Sequence, residues 1–142
     1  MKATDLMIGD WVLISVWDCN PFPSKVTSIN YNSYQGKDYV DWIDTEDEEE
    51  IGMYIVQPIP LTPEILEKNG FPYNNKERLY YPFSNKAFAI ERDEHDDQVF
   101  YYSMYVYNPY SSFNWHEIIE IRYVHELQHA LRLCGIDKEI VL

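Results

Sequence analysis

Short stretches in which apolar and polar positions roughly alternate dominate the first part of the chain. Three of them mix β-branched with aromatic residues and are bounded by Pro, Gly and Asn, as β-strands are. They are "DWVLISVW" (10–17), "SKVTSINY" (24–31) and "KDYVDWI" (37–43). Strands this short and this closely spaced predict an SH3-like small β-barrel or a strongly bent sheet.

An acidic run interrupts this pattern before one more strand. The residues "DTEDEEE" (44–50) carry like charges and predict a solvated loop, and "IGMYIVQ" (51–57) predicts a further strand. The β module is therefore expected to extend over residues 1–57.

A short helix is predicted next, within "PIPLTPEILEKNGF" (58–71). Thr62 occupies the N-cap position and Pro63 the first helical position, where a missing N–H costs nothing. Asn69 and Gly70 end the helix, because Gly tolerates the left-handed backbone found there. A helix of about two turns should join the β module to the rest of the chain.

The following section is again rich in β-forming residues. "LYYPF" (79–83) and "KAFAIER" (86–92) precede the polar stretch "DEHDD" (93–97), and "QVFYYSMYVY" (98–107) follows it. Apolar runs on both sides of an acidic turn predict a β-hairpin.

The C-terminal section has two interpretations at residues 116–123. Ile119, Ile121 and Tyr123 alternate with charged residues, as in a strand, whereas Asn114 and Glu117 could cap one long helix instead. We favour a strand to about Tyr123, followed by a helix to Leu133 that Gly135 ends. The predicted fold class is α+β, with an SH3-like β module at 1–57 and an α+β section with a C-terminal helix at 58–142, together one compact unit.

The net charge of the chain limits which class of molecule it is expected to bind. The chain has 24 acidic against 11 basic residues, a net charge of −13. Such a surface repels phosphate backbones, so direct nucleic-acid binding is not expected, whereas a basic protein partner suits it. We expect no membrane segment, no secretion signal and two reduced cysteines, Cys19 and Cys134, as in a cytoplasmic protein.

The stretch "VHELQH" (124–129) contains the His-Glu-x-x-His pattern of zinc hydrolases. On a helix, His125 and His129 share a face and could bind one zinc ion, with Glu126 as the base acting on a metal-bound water. A third protein ligand is required, and only Asp137 and Glu139 supply acids downstream. The pattern alone is therefore a weak signal.

The competing hypothesis is an ordinary amphipathic helix. Its buried stripe is predicted to hold Val124, Leu127, Leu131 and Cys134, whereas its outside or edge is predicted to hold His125, Gln128, His129 and Arg132. Replacing both histidines should then cost little stability. We favour this hypothesis, which assigns no catalytic residue, no metal ligand and no cofactor.

Four segments, in order, carry a family resemblance: "DLMIGDWV", "KVTSI", "QPIPLTPEILEKNGF" and "YVHELQHALRLCGI". They resemble a family of small uncharacterised proteins from gut bacteria and their prophage-like or mobile elements. In that family the positions of Glu126 and His129 often carry amides, so the resemblance implies a structural motif around His125, Leu127 and Gln128 and no established activity. The function expected is a non-enzymatic accessory protein that acts by protein–protein contact; the alternative is a zinc-dependent hydrolase that uses His125, Glu126 and His129.

Overall fold

A computed structural model describes residues 6–16, 20–34, 37–81, 88–93, 101–110 and 115–142. The chain forms two compact units, an N-terminal unit at Met1–Ile59 and a C-terminal unit at Pro60–Leu142. Each unit contains a five-stranded antiparallel sheet, and two α-helices and a short 3₁₀ helix complete the described fold, which is α+β as predicted.

The sheet of the N-terminal unit has the strand order β4-β3-β2-β1-β5. Its strands are β1 (Trp11–Ile14), β2 (Phe22–Tyr34), β3 (Lys37–Thr45), β4 (Ile51–Gly52) and β5 (Val56–Pro58). The long strand β2 pairs with β1 through its first residues and with β3 through the remainder. In the described residues β4 and β5 are the two edges, so the sheet is open and the predicted SH3-like barrel is not confirmed.

The predicted strand at 51–57 is wrong in its middle. A 3₁₀ helix, Met53–Ile55, separates β4 from β5. Ile51 and Val56 both belong to the buried core of this unit. Residues five apart on one continuous strand point to opposite faces. The helical turn reverses that alternation and lets both side chains enter the same core.

The sheet of the C-terminal unit has the order β10-β9-β8-β7-β6. Its strands are β6 (Tyr73–Asn74), β7 (Leu79–Tyr80), β8 (Phe88–Asp93), β9 (Tyr101–Tyr107) and β10 (Trp115–Ile121). Strands β8 and β9 pair in antiparallel register, which confirms the predicted hairpin. Of the predicted turn at 93–97, only Asp93, the last residue of β8, lies within the described residues.

Helix α1 (Pro63–Lys68) begins and ends as its sequence predicts. The Thr62 hydroxyl accepts a hydrogen bond from the Ile65 N–H at 3.4 Å, and Gly70 has φ of 77°. The Asn69 side chain also fixes the C-terminal tail: its amide nitrogen donates to the Val141 carbonyl, and its oxygen accepts from the Val141 N–H, both at 2.8 Å.

Helix α2 (Val124–Leu133) follows β10 after a short break, which confirms the strand-then-helix interpretation of this region. Tyr123, at the junction, forms a β-bridge with Pro60. Gly135, with φ of 70°, follows the helix as predicted. Within the described segments, no helix combines the length and apolar character needed to cross a membrane.

Candidate functional site

The buried face of α2 is broader than the stripe that the sequence predicts. Val124, Leu127 and Leu131 are buried, as expected. His125, 3% exposed, and Gln128, 5% exposed, are buried too, so their predicted place at the outside or edge is wrong. A helix with buried positions at consecutive residues is covered on more than one side, which a single i, i+3, i+4 stripe does not predict.

The remaining predictions for α2 have mixed outcomes. Arg132 is exposed and His129 lies at the edge, half-buried, as predicted. Cys134 is only half-buried, so its place in the core stripe is not confirmed; it is a free thiol whose pKa is raised by burial. A raised pKa keeps this thiol protonated and unreactive at neutral pH.

The two histidines of the HELQH segment are neighbours, as their spacing requires. Their ring centroids lie 5.9 Å apart with an interplanar angle of 77°. The His125 ring also stacks on Tyr123, at 5.8 Å and 9°. The buried imidazole of His125 therefore packs against two rings at the start of α2, as a core side chain does.

The Glu126 side chain forms hydrogen bonds with the backbone at the N-terminus of α2. Its Oε2 accepts hydrogen bonds from the N–H of Arg122 at 2.6 Å and from the N–H of Tyr123 at 3.1 Å. These contacts reproduce the Glu half of a capping box, which satisfies backbone donors that the first turn leaves unpaired. A zinc hydrolase needs the equivalent carboxylate beside the metal-bound water. In this structure the carboxylate is directed to the backbone instead.

A complete metal site does not form among the residues that the structure describes. They contain no group of three or more His, Cys, Asp or Glu side chains placed to hold one ion. Asp137 and Glu139, the downstream acids, are exposed on the segment after α2. Among the described candidate ligands, His125 and His129 are the two that lie side by side.

The acidic loop of the N-terminal unit is more ordered than its composition suggests. The Ser24 hydroxyl donates to Asp47 Oδ2 at 2.6 Å, and the Glu48 N–H donates to Thr45 Oγ1 at 3.1 Å. The Glu50 N–H donates to Asp44 Oδ1 at 2.9 Å. These bonds fix the turn between β3 and β4, and every residue from 46 to 50 is exposed. The loop therefore presents five carboxylates from a defined backbone.

Trp42 lies on β3, next to this loop. The sequence pattern of β3 did not by itself identify Trp42 as a surface residue. Its neighbour Ile43 is fully buried, so the alternation of β3 places the indole on the outer face, 37% exposed. On β4 it faces Gly52, which has no side chain to cover it, and on β2 it faces Asn30. The Asn30 amide nitrogen donates to Asp44 Oδ2 at 3.5 Å, which joins this face to the loop.

Comparison with models of known protein families, with curated proteins and with solved structures finds no match for this chain.

Proposed function

We propose that this chain is a non-enzymatic accessory protein that binds a basic protein partner. The observation that carries this proposal is an exposed tryptophan beside an ordered acidic loop. We call this the Trp42 surface: Trp42 together with Asp44 and residues 46–50.

The chemistry of the Trp42 surface suits recognition of a basic protein. Tryptophan is enriched among the residues that dominate binding energy at protein interfaces, because it buries a large area on a rigid side chain. The adjoining carboxylates attract Lys and Arg side chains and accelerate encounter. Residues 1–59 contain three lysines, no arginine and eleven acidic residues, so this unit carries a net charge of −8. The two contributions differ in kind, since the indole gives contact energy and the loop gives charge complementarity.

The strand arrangement of the N-terminal unit supports an SH3-like assignment as part of this proposal. Its order is β4-β3-β2-β1-β5, β2 is shared between two pairings, and a 3₁₀ helix lies between β4 and β5. The family resemblance at "QPIPLTPEILEKNGF" and "YVHELQHALRLCGI" is the basis for proposing that the protein belongs to a prophage-like or mobile element of gut bacteria. A cytoplasmic location, expected from the sequence, is part of the same proposal.

Isothermal titration calorimetry with a Lys- and Arg-rich peptide, at low and at high salt, tests peptide binding at the Trp42 surface. Trp42→Ala should weaken binding about thirtyfold, the equivalent of a hot-spot contribution of about 2 kcal/mol, without any change in net charge. The matched control is Tyr110→Ala, because Tyr110 is an exposed aromatic residue of the other unit. We expect its affinity to equal that of the wild type.

A variant with reversed charge in the acidic loop distinguishes specific peptide binding at the Trp42 surface from general electrostatic attraction. Replacing Glu48, Glu49 and Glu50 with Lys should abolish binding at low salt. If Trp42→Ala binds like the wild type, and affinity follows only net charge across variants of both units, the Trp42 surface is not the site.

The second candidate function, a zinc-dependent hydrolase, is supported by one observation, the proximity of the His125 and His129 rings. The backbone contacts of Glu126 and the burial of His125 favour a structural role instead. Elemental analysis that finds one tightly held zinc per chain after dialysis would reverse this ranking; we expect less than a stoichiometric amount.

A further inference from the structure

A cavity of about 410 Å³ opens in the C-terminal unit. The described residues that line it are Tyr73, Arg78, Glu91 and Arg92. The chain contains four arginines in all, and two of them lie here. In a protein with a net charge of −13, a pair of guanidinium groups at one cavity is a local reversal of charge.

The β6–β7 hairpin fixes the position of Arg78. The Asn74 side-chain oxygen accepts from the N–H of Lys76 at 3.0 Å and of Glu77 at 3.4 Å. The Asn74 carbonyl accepts from the Arg78 N–H at 2.7 Å. Arg78 adopts a left-handed backbone, with φ of 57°, which is unfavourable for a residue that carries a Cβ. The hairpin thus holds this arginine at the cavity in a conformation that an isolated chain would rarely adopt.

The central part of the sheet fixes Arg92. It lies on β8 directly opposite Tyr102 of β9, and Tyr102 is fully buried. Burial raises the pKa of the Tyr102 hydroxyl, and the positive charge of Arg92 acts in the opposite direction. Arg92 is itself half-buried and lines the cavity. Charges at such a position are screened less than at the surface.

We propose that this cavity binds a small phosphate compound. Arginine presents a planar fork of N–H donors that matches the oxygens of phosphate in a bidentate manner, and two arginines can hold one phosphate group. The cavity volume falls within the range of about 300–1,000 Å³ that is usual for small-molecule sites.

Glu91 and Arg92 are consecutive residues of β8, so their side chains point to opposite faces of the sheet. Burial and a hydrogen bond to Glu91 raise the pKa of Tyr105, so the Glu91 carboxylate is engaged on that other face. Tyr73 supplies a partly exposed aromatic wall, packed on Tyr80 at a centroid distance of 4.9 Å. The two guanidinium groups carry two positive charges, which match the charge of about −1.5 to −2 on a phosphate monoester at neutral pH.

Isothermal titration of the full chain with glucose 6-phosphate, inorganic phosphate, glucose and malate tests the site. Glucose 6-phosphate should bind with a Kd of about 1 mM or tighter, inorganic phosphate should bind more weakly, and glucose should not bind. Tighter binding of malate than of either phosphate compound would overturn the assignment to phosphate. The absence of saturable binding by both phosphate compounds would overturn the site itself.

Variants locate the binding to the cavity. Arg78→Ala should weaken glucose 6-phosphate binding at least about tenfold, because one fork of charge-assisted hydrogen bonds is lost. Its matched control is Arg132→Ala, which removes the same charge from an exposed position on α2. Equal weakening by both variants would show a general charge effect and refute the proposal.

A second variant removes the fork and keeps the charge. Arg92→Lys should weaken binding several-fold if bidentate contact matters, and circular dichroism checks that the variant is folded. Arg78 is exposed, so the test of Arg78→Ala stands even if Arg92→Lys does not fold.

Discussion

Substitution of His125 with alanine distinguishes a structural HELQH segment from a metal site. His125 is 3% exposed, its ring stacks on Tyr123, and Tyr123 forms the bridge to Pro60. The substitution therefore empties a buried ring-sized volume at the point where α2 begins.

The expected loss follows from burial. Emptying a fully buried large side-chain site costs about 2–5 kcal/mol, which is the value expected for Leu127→Ala. An imidazole buries less apolar area than a leucine, so we expect about 2–3 kcal/mol for His125→Ala. His129 is half-buried, and its replacement should cost less than about 1 kcal/mol. The sequence predicted that replacing both histidines would cost little stability. We now expect this small loss for His129 and a larger one for His125.

Differential scanning calorimetry measures these losses, since it resolves separate transitions if the two units unfold independently. In a unit of this size 1 kcal/mol shifts Tm by about 4–8 °C, so His125→Ala should lower the transition of the C-terminal unit by about 10–20 °C. His129→Ala should lower it by only a few degrees, and a chelator should leave the wild-type Tm unchanged.

A metal site gives the opposite pattern. Both histidine variants would lose the same stability, because either one removes the zinc contribution to folding. A chelator would lower the wild-type Tm to that of the variants and would not affect the variants themselves. That result would refute the structural interpretation of the segment.

Two further predictions concern the helix cap and alkaline pH. Thr62→Ala should destabilise the C-terminal unit by about 1 kcal/mol in urea unfolding, because the Ile65 N–H loses its acceptor; Thr62→Ser, which keeps the hydroxyl, is the control, and equal stability of all three proteins would exclude the cap. Burial, with a hydrogen bond to Glu77, raises the pKa of Tyr81 from 10.0 to about 12, and burial raises that of Tyr102 as well. The neutral phenols are thus favoured in the folded state, so this contribution to stability is complete below pH 10 and is lost as pH rises through about 12. Phenolate absorbance should show tyrosines that titrate late and together with unfolding; titration of all tyrosines near pH 10 in the folded protein would contradict this.

Local signals in the sequence determined the elements that depend on neighbouring residues. Thr62, Pro63 and Gly70 define the bounds of α1 because a cap acceptor, a residue without an N–H and a residue without a Cβ act within one helical turn. Apolar runs on both sides of an acidic turn likewise predicted the β8–β9 hairpin, and alternation predicted the strand before α2.

Tertiary packing decided what periodicity cannot express. The break at Met53–Ile55 exists because Ile51 and Val56 must enter one core, a requirement set by the sheet and invisible in a β-rich run. The burial of His125 and Gln128 depends on what covers α2 from the side, which the apolar stripe of the helix does not encode.

The candidate sites also depend partly on local sequence and partly on tertiary structure. The spacing of His125, Glu126 and His129 in the sequence identified them as candidate site residues. In the structure the Glu126 carboxylate accepts hydrogen bonds from the backbone N–H groups of Arg122 and Tyr123. Arg78 and Arg92 are 14 positions apart in the sequence and meet at one cavity only because β7 pairs with β8. Helical spacing fixes which side chains share a face, whereas strand pairing and burial decide which distant side chains meet and where each polar group finds its partner.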